Sequence, residues 1–194
     1  MNYPIIGISG AARSGKDTLC KALIRFFKTK NIKAERKSIA GDTVKGDLKN
    51  IIGKKLKIDT FTEDSNIKTL IRPLLVEYGK LMRNKTEGRY FIEKFKKSQN
   101  NITIIPDIRY AEYKKDELFW LKKEQHGFLI FIKHEYVLDA NETEKINNKV
   151  IKKDCDYFLK WSTLCEENPI DLEKINSIAE KIGTLYLKKF TTFQ

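Results

Sequence analysis

The sequence predicts an α/β domain built on a doubly wound, parallel sheet of five strands flanked by helices, and three observations carry that expectation. Short apolar runs alternate with longer stretches of helical periodicity, which is the pattern of βαβ units whose strands are covered on both faces. A glycine-rich loop separates the first apolar run from the first amphipathic stretch. The chain has 194 residues and 41% hydrophobic content, enough for one such domain with an inserted lobe and too little for two domains of ordinary size.

The first strand is read at 4–9 (PIIGIS), followed by GAARSGKDT and then by a helix whose apolar Leu19, Cys20, Leu23, Ile24, Phe26 and Phe27 recur at helical spacing. A second strand is expected within Ala34–Ala40, and a third at 102–105 (ITII), stopped by Pro106 and Asp107. GFLIFI at 127–132 is the fourth and CDYFL at 155–159 the fifth. The last helix is expected from about Leu172 to Lys188, capped by Asp171. Between the second and third strands, residues 41–100 read as a helical insertion suited to an acceptor-binding lobe. Pro73 falls inside its apolar repeat, and proline is tolerated at a first helical position, so a helix is expected to begin near Pro73 and end near Arg83. Residues 134–154 are a candidate lid.

Composition narrows the function classes. No run approaches the roughly 18 apolar residues a membrane span needs, and the first residues lack the features of a secretion signal. The expectation is a cytoplasmic protein with no membrane partner, a monomer or a homodimer. Cys20, Cys155 and Cys165 are odd in number and far apart, which argues against disulfides and structural zinc and suggests small buried apolar residues. The net charge of +12 suits an anionic partner. It is spread without a dense basic block, and the aromatics lie in apolar segments, so no stable nucleic-acid partner is expected. Of 38 basic residues only seven are arginine. Arginines retained in so lysine-rich a chain are candidates for phosphate recognition, where a planar fork matters.

Chemistry concentrates at two places. Gly10, Arg13, Ser14, Gly15, Lys16, Asp17 and Thr18 belong to a loop of the form GxxxxGK, in the strand–loop–helix setting such a loop requires. Its backbone N–H groups and the helix N-terminus would face phosphate oxygens, with Lys16 reaching the β- and γ-phosphates. The implied donor is a nucleoside triphosphate with Mg²⁺. Asp17 stands where Ser or Thr usually meets the metal, holding it directly or through water, and Thr18 supplies a hydroxyl. At the end of the third strand, where doubly wound sheets place ligands, come Asp107 and Arg109. Asp107 is suited to order magnesium-bound water or the acceptor, and Arg109 to neutralise an acceptor phosphate. Transfer to a phosphate needs further cations around the acceptor, for which Arg72, Arg83 and Lys45 are candidates. No NKxD-like guanine-reading sequence follows the later strands, which disfavours a switch GTPase.

The blocks ARSGKDT at 12–18, GDTVKGDLKNIIG at 41–53, RPLLVEYGKLMR at 72–83, RYF at 89–91 and IIPDIRY at 104–110 together resemble the bacteriophage-type deoxynucleoside monophosphate kinases, a branch of the P-loop nucleoside monophosphate kinases. The resemblance implies a P-loop NTPase fold that holds ATP in the loop and lines a nucleoside monophosphate pocket with Asp42, Lys45, Arg72, Arg83 and Arg109. The chain departs from the family's pattern at Val76, Lys80-Leu81 and Glu112, positions that bear on base preference. Phosphomevalonate kinase is similar in the GKD loop and the Asp-x-Arg strand end. A polynucleotide kinase and a nucleic-acid-binding P-loop ATPase are the remaining alternatives.

Overall fold

The computed structural model describes residues 3–191. Four short apolar segments and the edge segment Ala34–Arg36 become five parallel strands in the order β2-β3-β1-β4-β5. β1 (Ile6–Gly10) is the central strand, buried at all five positions. It runs through the glycine-rich loop into α1 (Lys16–Thr29). The chain then crosses to the edge strand β2 (Ala34–Arg36). The insertion follows as α2 (Gly41–Leu48), a π-helical turn at Lys49–Gly53, α3 (Lys54–Leu56), α4 (Ser65–Lys85) and α5 (Arg89–Lys94). β3 (Ile102–Ile105) returns beside β1, and α6 (Glu117–Phe119) leads through a second π-helical turn, Trp120–Glu124, to β4 (Phe128–His134). α7 (Glu142–Lys153), β5 (Tyr157–Trp161) and α8 (Pro169–Thr191) complete the fold.

Alternation along the strands builds two cores. Ile6, Ile8, Ile104 and Ile130 face α1 and α8, packing with Leu23, Phe27, Ile182 and Tyr186. Ile5, Ile105, Leu129 and Phe131 face the other layer, against Val44 and Leu48 of α2, Phe91 of α5, and Ile151 of α7. Each fully buried large side chain contributes about 1.5–3 kcal/mol. Tyr186 buries its ring against Phe27 and Phe128 while its hydroxyl donates to the Pro4 carbonyl at 2.6 Å, so no polar group is stranded. The insertion is tied together through Asp47 of α2, which accepts hydrogen bonds from Tyr78 of α4 at 3.1 Å and Tyr90 of α5 at 2.9 Å and pairs with Lys94.

Several boundaries differ from expectation, each for a local reason. β2 ends at Arg36 because the chain turns out of the sheet at Ser38, whose hydroxyl binds Asp107. β4 and β5 run two residues further than read, the pairing continuing through Lys133 with Lys160 and His134 with Trp161. α4 begins at Ser65, not near Pro73, because the Asp64 carboxylate accepts from the N–H groups of Asn66 and Ile67. Pro73 then lies mid-helix, where it leaves the Thr69 carbonyl without its donor. Both residues are exposed, so water can meet that carbonyl. α8 is capped by Asn168, which accepts from Ile170 N–H at 2.9 Å, with Pro169 at the first position. Asp171, the expected cap, lies inside the first turn and accepts instead from Cys165 N–H. Of the cysteines only Cys20 is buried, while Cys155 is half-buried and Cys165 exposed. Among the described residues no helix is long and apolar enough to cross a membrane.

The packing of α1 on α8 depends on Gly183, where a Cβ would overlap the Phe26 ring. Gly183→Ala should destabilise the protein by about 1–2 kcal/mol despite alanine's better helix propensity. Gly46→Ala in α2, where a Cβ meets nothing within 4 Å, should stabilise by up to about 1 kcal/mol. Urea midpoints of both variants check the pair, and equal shifts would contradict the packing described.

Candidate active site

The carboxyl ends of β1, β3 and β4 meet where connections leave the sheet in opposite directions, the place where doubly wound sheets bind ligands. At the end of β1 the backbone closes into a cradle. Gly10 adopts φ 137°, and a side chain there would run into the Ile132 carbonyl. Gly15 adopts φ 88° beneath Trp161, whose Nε1 would lie 2.8 Å from any Cβ. Both positions therefore require glycine. Arg13 also takes a positive φ of 64°, and its side chain is exposed. Ser14 is fully buried inside the loop, and its hydroxyl has no hydrogen-bond partner among the described residues.

Lys16 is 6% exposed. Its ammonium donates to the carbonyls of Gly10 at 2.8 Å and Ala11 at 2.5 Å. Burial, and next the charge of Arg109, push its pKa down to about 8, against raising contributions from Glu144, Asp17 and Asp107. An orphaned hydroxyl, a glycine cradle and a buried cation fit an anionic phosphate chain. Asp17 lies in the first turn of α1, largely exposed, and pairs with Arg36 of β2 at 3.1 Å. Thr18 is half-buried beside it.

Across the cleft, Asp107 accepts from the Ser38 hydroxyl at 2.6 Å and the Ile39 N–H at 3.3 Å. Lys45, Arg72, Arg83, Asp107 and Arg109 line one depression of about 290 Å³, closed by Val44, Leu75, Val76, Phe91 and Tyr110. The structure thus brings together four of the five residues named for an acceptor. Asp42 is exposed in the first turn of α2 and is not part of the lining. Arg83 differs from the others in being buried and paired with Glu117, so its charge is already compensated. Among the described residues no cluster of three His, Cys, Asp or Glu forms a ready metal site.

Three participants escape the sequence reading. Ser38 fixes Asp107 but carries no motif. Glu117 binds Arg83 and the backbone at Arg109, a contact that only folding creates. Glu144 reaches the loop itself: one carboxylate oxygen accepts from Ala12 N–H at 3.1 Å and the other from Ala140 N–H at 2.6 Å. Its position three residues after the helix cap Asn141 is a legible capping pattern. The contact with Ala12, 132 residues away, is not.

A central parallel strand that enters a glycine loop and a helix N-terminus, with a buried lysine folded back over the loop, is the P-loop nucleotide-binding fold. Two solved structures of the Mycobacterium tuberculosis APS kinase CysC resemble the chain. A cysteine-to-alanine mutant is 14% identical, with 91% of this chain and 94% of that one covered and a TM-score of 0.38. The complex of that enzyme with AMPPNP and APS is 12% identical, with 96% and 98% covered and a TM-score of 0.43. At these values the likeness says nothing about substrate, and the fold assignment rests on strand order and loop geometry. No protein-family profile matches the chain, and no curated protein does.

The depressed pKa of Lys16 gives a signed prediction. Below about pH 8 the ammonium is charged and would meet a phosphate directly, whereas above it binding would also have to take up a proton. Affinity for a non-hydrolysable ATP analogue should be flat at lower pH and fall through pH 8, by up to roughly tenfold per unit. Lys16→Arg should remove this dependence, since guanidinium stays charged. A flat calorimetric profile to pH 9.5 in the unaltered protein would contradict the buried-lysine description.

Proposed function

We propose that the chain transfers the γ-phosphoryl group of ATP to a nucleoside monophosphate, with a deoxynucleoside monophosphate as the preferred acceptor. The observation that carries this reading is how the seven arginines are used. Arg25, Arg36, Arg83 and Arg89 are ion-paired with Glu166, Asp17, Glu117 and Glu124. Arg13, Arg72 and Arg109 form no ion pair or side-chain hydrogen bond with the described residues. One of these lies on the loop and two line the adjoining cleft. Uncompensated guanidinium groups repel one another, so the presence of Arg72 and Arg109 in one cleft supports a site for polyanions.

In this reading the loop amides hold the donor phosphates, and Lys16 exchanges the Gly10 and Ala11 carbonyls for phosphate oxygens. Arg109, Arg72 and Lys45 hold the acceptor phosphate and screen its repulsion from the donor. An acceptor phosphate oxygen bonds to the γ-phosphorus as the bond to the β-phosphate oxygen breaks, and ADP leaves. Mg²⁺, when bound, would supply charge neutralisation to the phosphates. The Thr18 hydroxyl and the carboxylates of Asp17 and Asp107 are the protein oxygens suited to it, although the Asp17 contact with Arg36 would have to open. Arg83, with its charge compensated, serves the wall of the cleft more than the phosphate. The apolar walls, with Phe91 and Tyr110 among them, favour an acceptor that carries a base over phosphomevalonate. Residues 134–154 would be the lid.

The direct test follows ADP release with a panel of ribo- and deoxynucleoside monophosphates, phosphomevalonate and single-stranded DNA. Stimulation by a deoxynucleoside monophosphate is the expected result. Stimulation by phosphomevalonate alone, or by DNA alone, would contradict it. Arg109→Lys keeps the charge but loses the fork. Acceptor kcat/KM should then fall on the order of tenfold or more while the KM for ATP stays unchanged.

A further inference from the structure

Arg109 has a long, exposed side chain with no ion pair or hydrogen bond of its own among the described residues, so the direction of its fork depends on how its backbone is held. The N–H groups of Arg109 and Tyr110 are held by one carboxylate, while the Tyr110 carbonyl accepts from Leu118 N–H at 3.2 Å. Glu117 is 0% exposed, and its Oε2 accepts the N–H of Arg109 at 2.7 Å and of Tyr110 at 3.2 Å. Its Oε1 accepts from Arg83 Nη2. The Arg83 guanidinium in turn stacks over the Tyr110 ring at 3.6 Å and over Phe91 at 5.2 Å. Arg83, Phe91, Arg109 and Tyr110 all line the cleft. The neighbouring Asp116 plays a local part, since it caps α6 and accepts from Glu112 N–H, with its Oδ1 3.7 Å from Arg83 Nη1. The two side chains are therefore not equivalent, because Glu117 alone of the pair bonds the backbone of cleft residues.

Resting on the acceptor-site reading above, we propose that Glu117 is a positioning residue for phosphoryl transfer, its buried carboxylate setting the aim of Arg109 and locking Arg83 against Tyr110. A buried ion pair by itself is weak evidence for a stabilising role, and Glu117 does more than pair. Donors from three cleft-lining residues converge on its two oxygens. Shortening the side chain by one methylene would keep the charge inside but withdraw it from at least one donor. A displacement of about 1 Å at a positioning group can cost on the order of a hundredfold in rate, so loss of this tether should be visible in turnover.

The test uses Glu117→Asp, Arg109→Lys and the double variant, with Glu117→Gln as a second probe of the tether. Amide hydrogen exchange reads the tether without any substrate: exchange at Arg109 and Tyr110 should accelerate in Glu117→Asp relative to β3. Acceptor kcat/KM should fall on the order of tenfold or more with the KM for ATP unchanged. The double variant should be scarcely worse than Arg109→Lys alone, because both changes act on the same fork. A purely structural role would instead lower the thermal midpoint and leave the kinetics of the folded protein as they were. That outcome overturns the inference, as would losses that multiply in the double variant. The two readings fail differently. If Arg109→Lys is silent toward every phosphorylated acceptor, the proposed acceptor site fails and Glu117 with it. If Arg109→Lys responds and a folded Glu117→Asp does not, the inference about Glu117 falls alone. Should Glu117→Asp not fold, accelerated exchange and reduced acceptor turnover in Glu117→Gln decide the matter in the same way.

Discussion

Lys16 holds an ammonium group over a closed backbone loop in which the carbonyls of Gly10 and Ala11 are its hydrogen-bond partners. A cation placed so deep costs desolvation free energy, visible as a pKa pushed down to about 8. Two carbonyl dipoles compensate it in part, and an anion would do so better. Around that charge the rest of the domain is arranged. Gly10 and Gly15 give the loop its curvature, the buried strand β1 fixes where it begins, and the packing of α1 on α8 fixes where it ends. Glu144 adds a carboxylate at Ala12 N–H, so the loop already satisfies one of its donors with an oxygen anion supplied by α7.

The charges of the cleft divide into those paired within the fold and those without an ion pair among the described residues. Asp107 is held by Ser38 and Ile39, and Arg83 by Glu117, which fixes the floor and one wall. Burial pushes the Glu117 carboxyl up while the Arg83 guanidinium pulls it back toward the ionised form. Asp47 gathers Tyr78, Tyr90 and Lys94 and so fixes α2, α4 and α5 against one another. Arg72 and Lys45 line the cleft from that insertion. Unpaired cations on supports tied to one another in this way would suit the proposed phosphorylated acceptor, because less ordering would remain to be done on binding.

Legibility in the sequence follows the range of the interaction. The GxxxxGK loop is readable because its requirements are local: a strand, glycines at positions of unusual φ, and a helix start. Four apolar runs locate β1, β3, β4 and β5, with ends that slip where strand pairing carries on through polar residues, as at Lys133 with Lys160. Periodicity misplaces the insertion's long helix because a proline imitates a helix start, although Asp64 followed by Ser65 already signals a cap. The Asn168-Pro169 pair marks the last helix in the same way. Which arginine is buried cannot be read from the chain alone. Arg83 looks no different from Arg72, and the carboxylate that claims it lies 34 residues away on another element.

In the proposed reaction, donor and acceptor phosphates occupy one continuous cleft, from the loop at Lys16 to the cations at Arg109 and Arg72. A two-headed nucleotide, adenosine joined by five phosphates to the acceptor nucleoside, tests this most directly when titrated calorimetrically beside ATP. If the cleft is continuous, the linked molecule should bind one per chain and exceed the affinity of ATP on the order of a hundredfold, since the second head binds at high effective concentration. Arg109→Lys should remove much of that excess and leave ATP binding alone. Affinity equal to that of ATP, with no response to Arg109→Lys, would contradict the account.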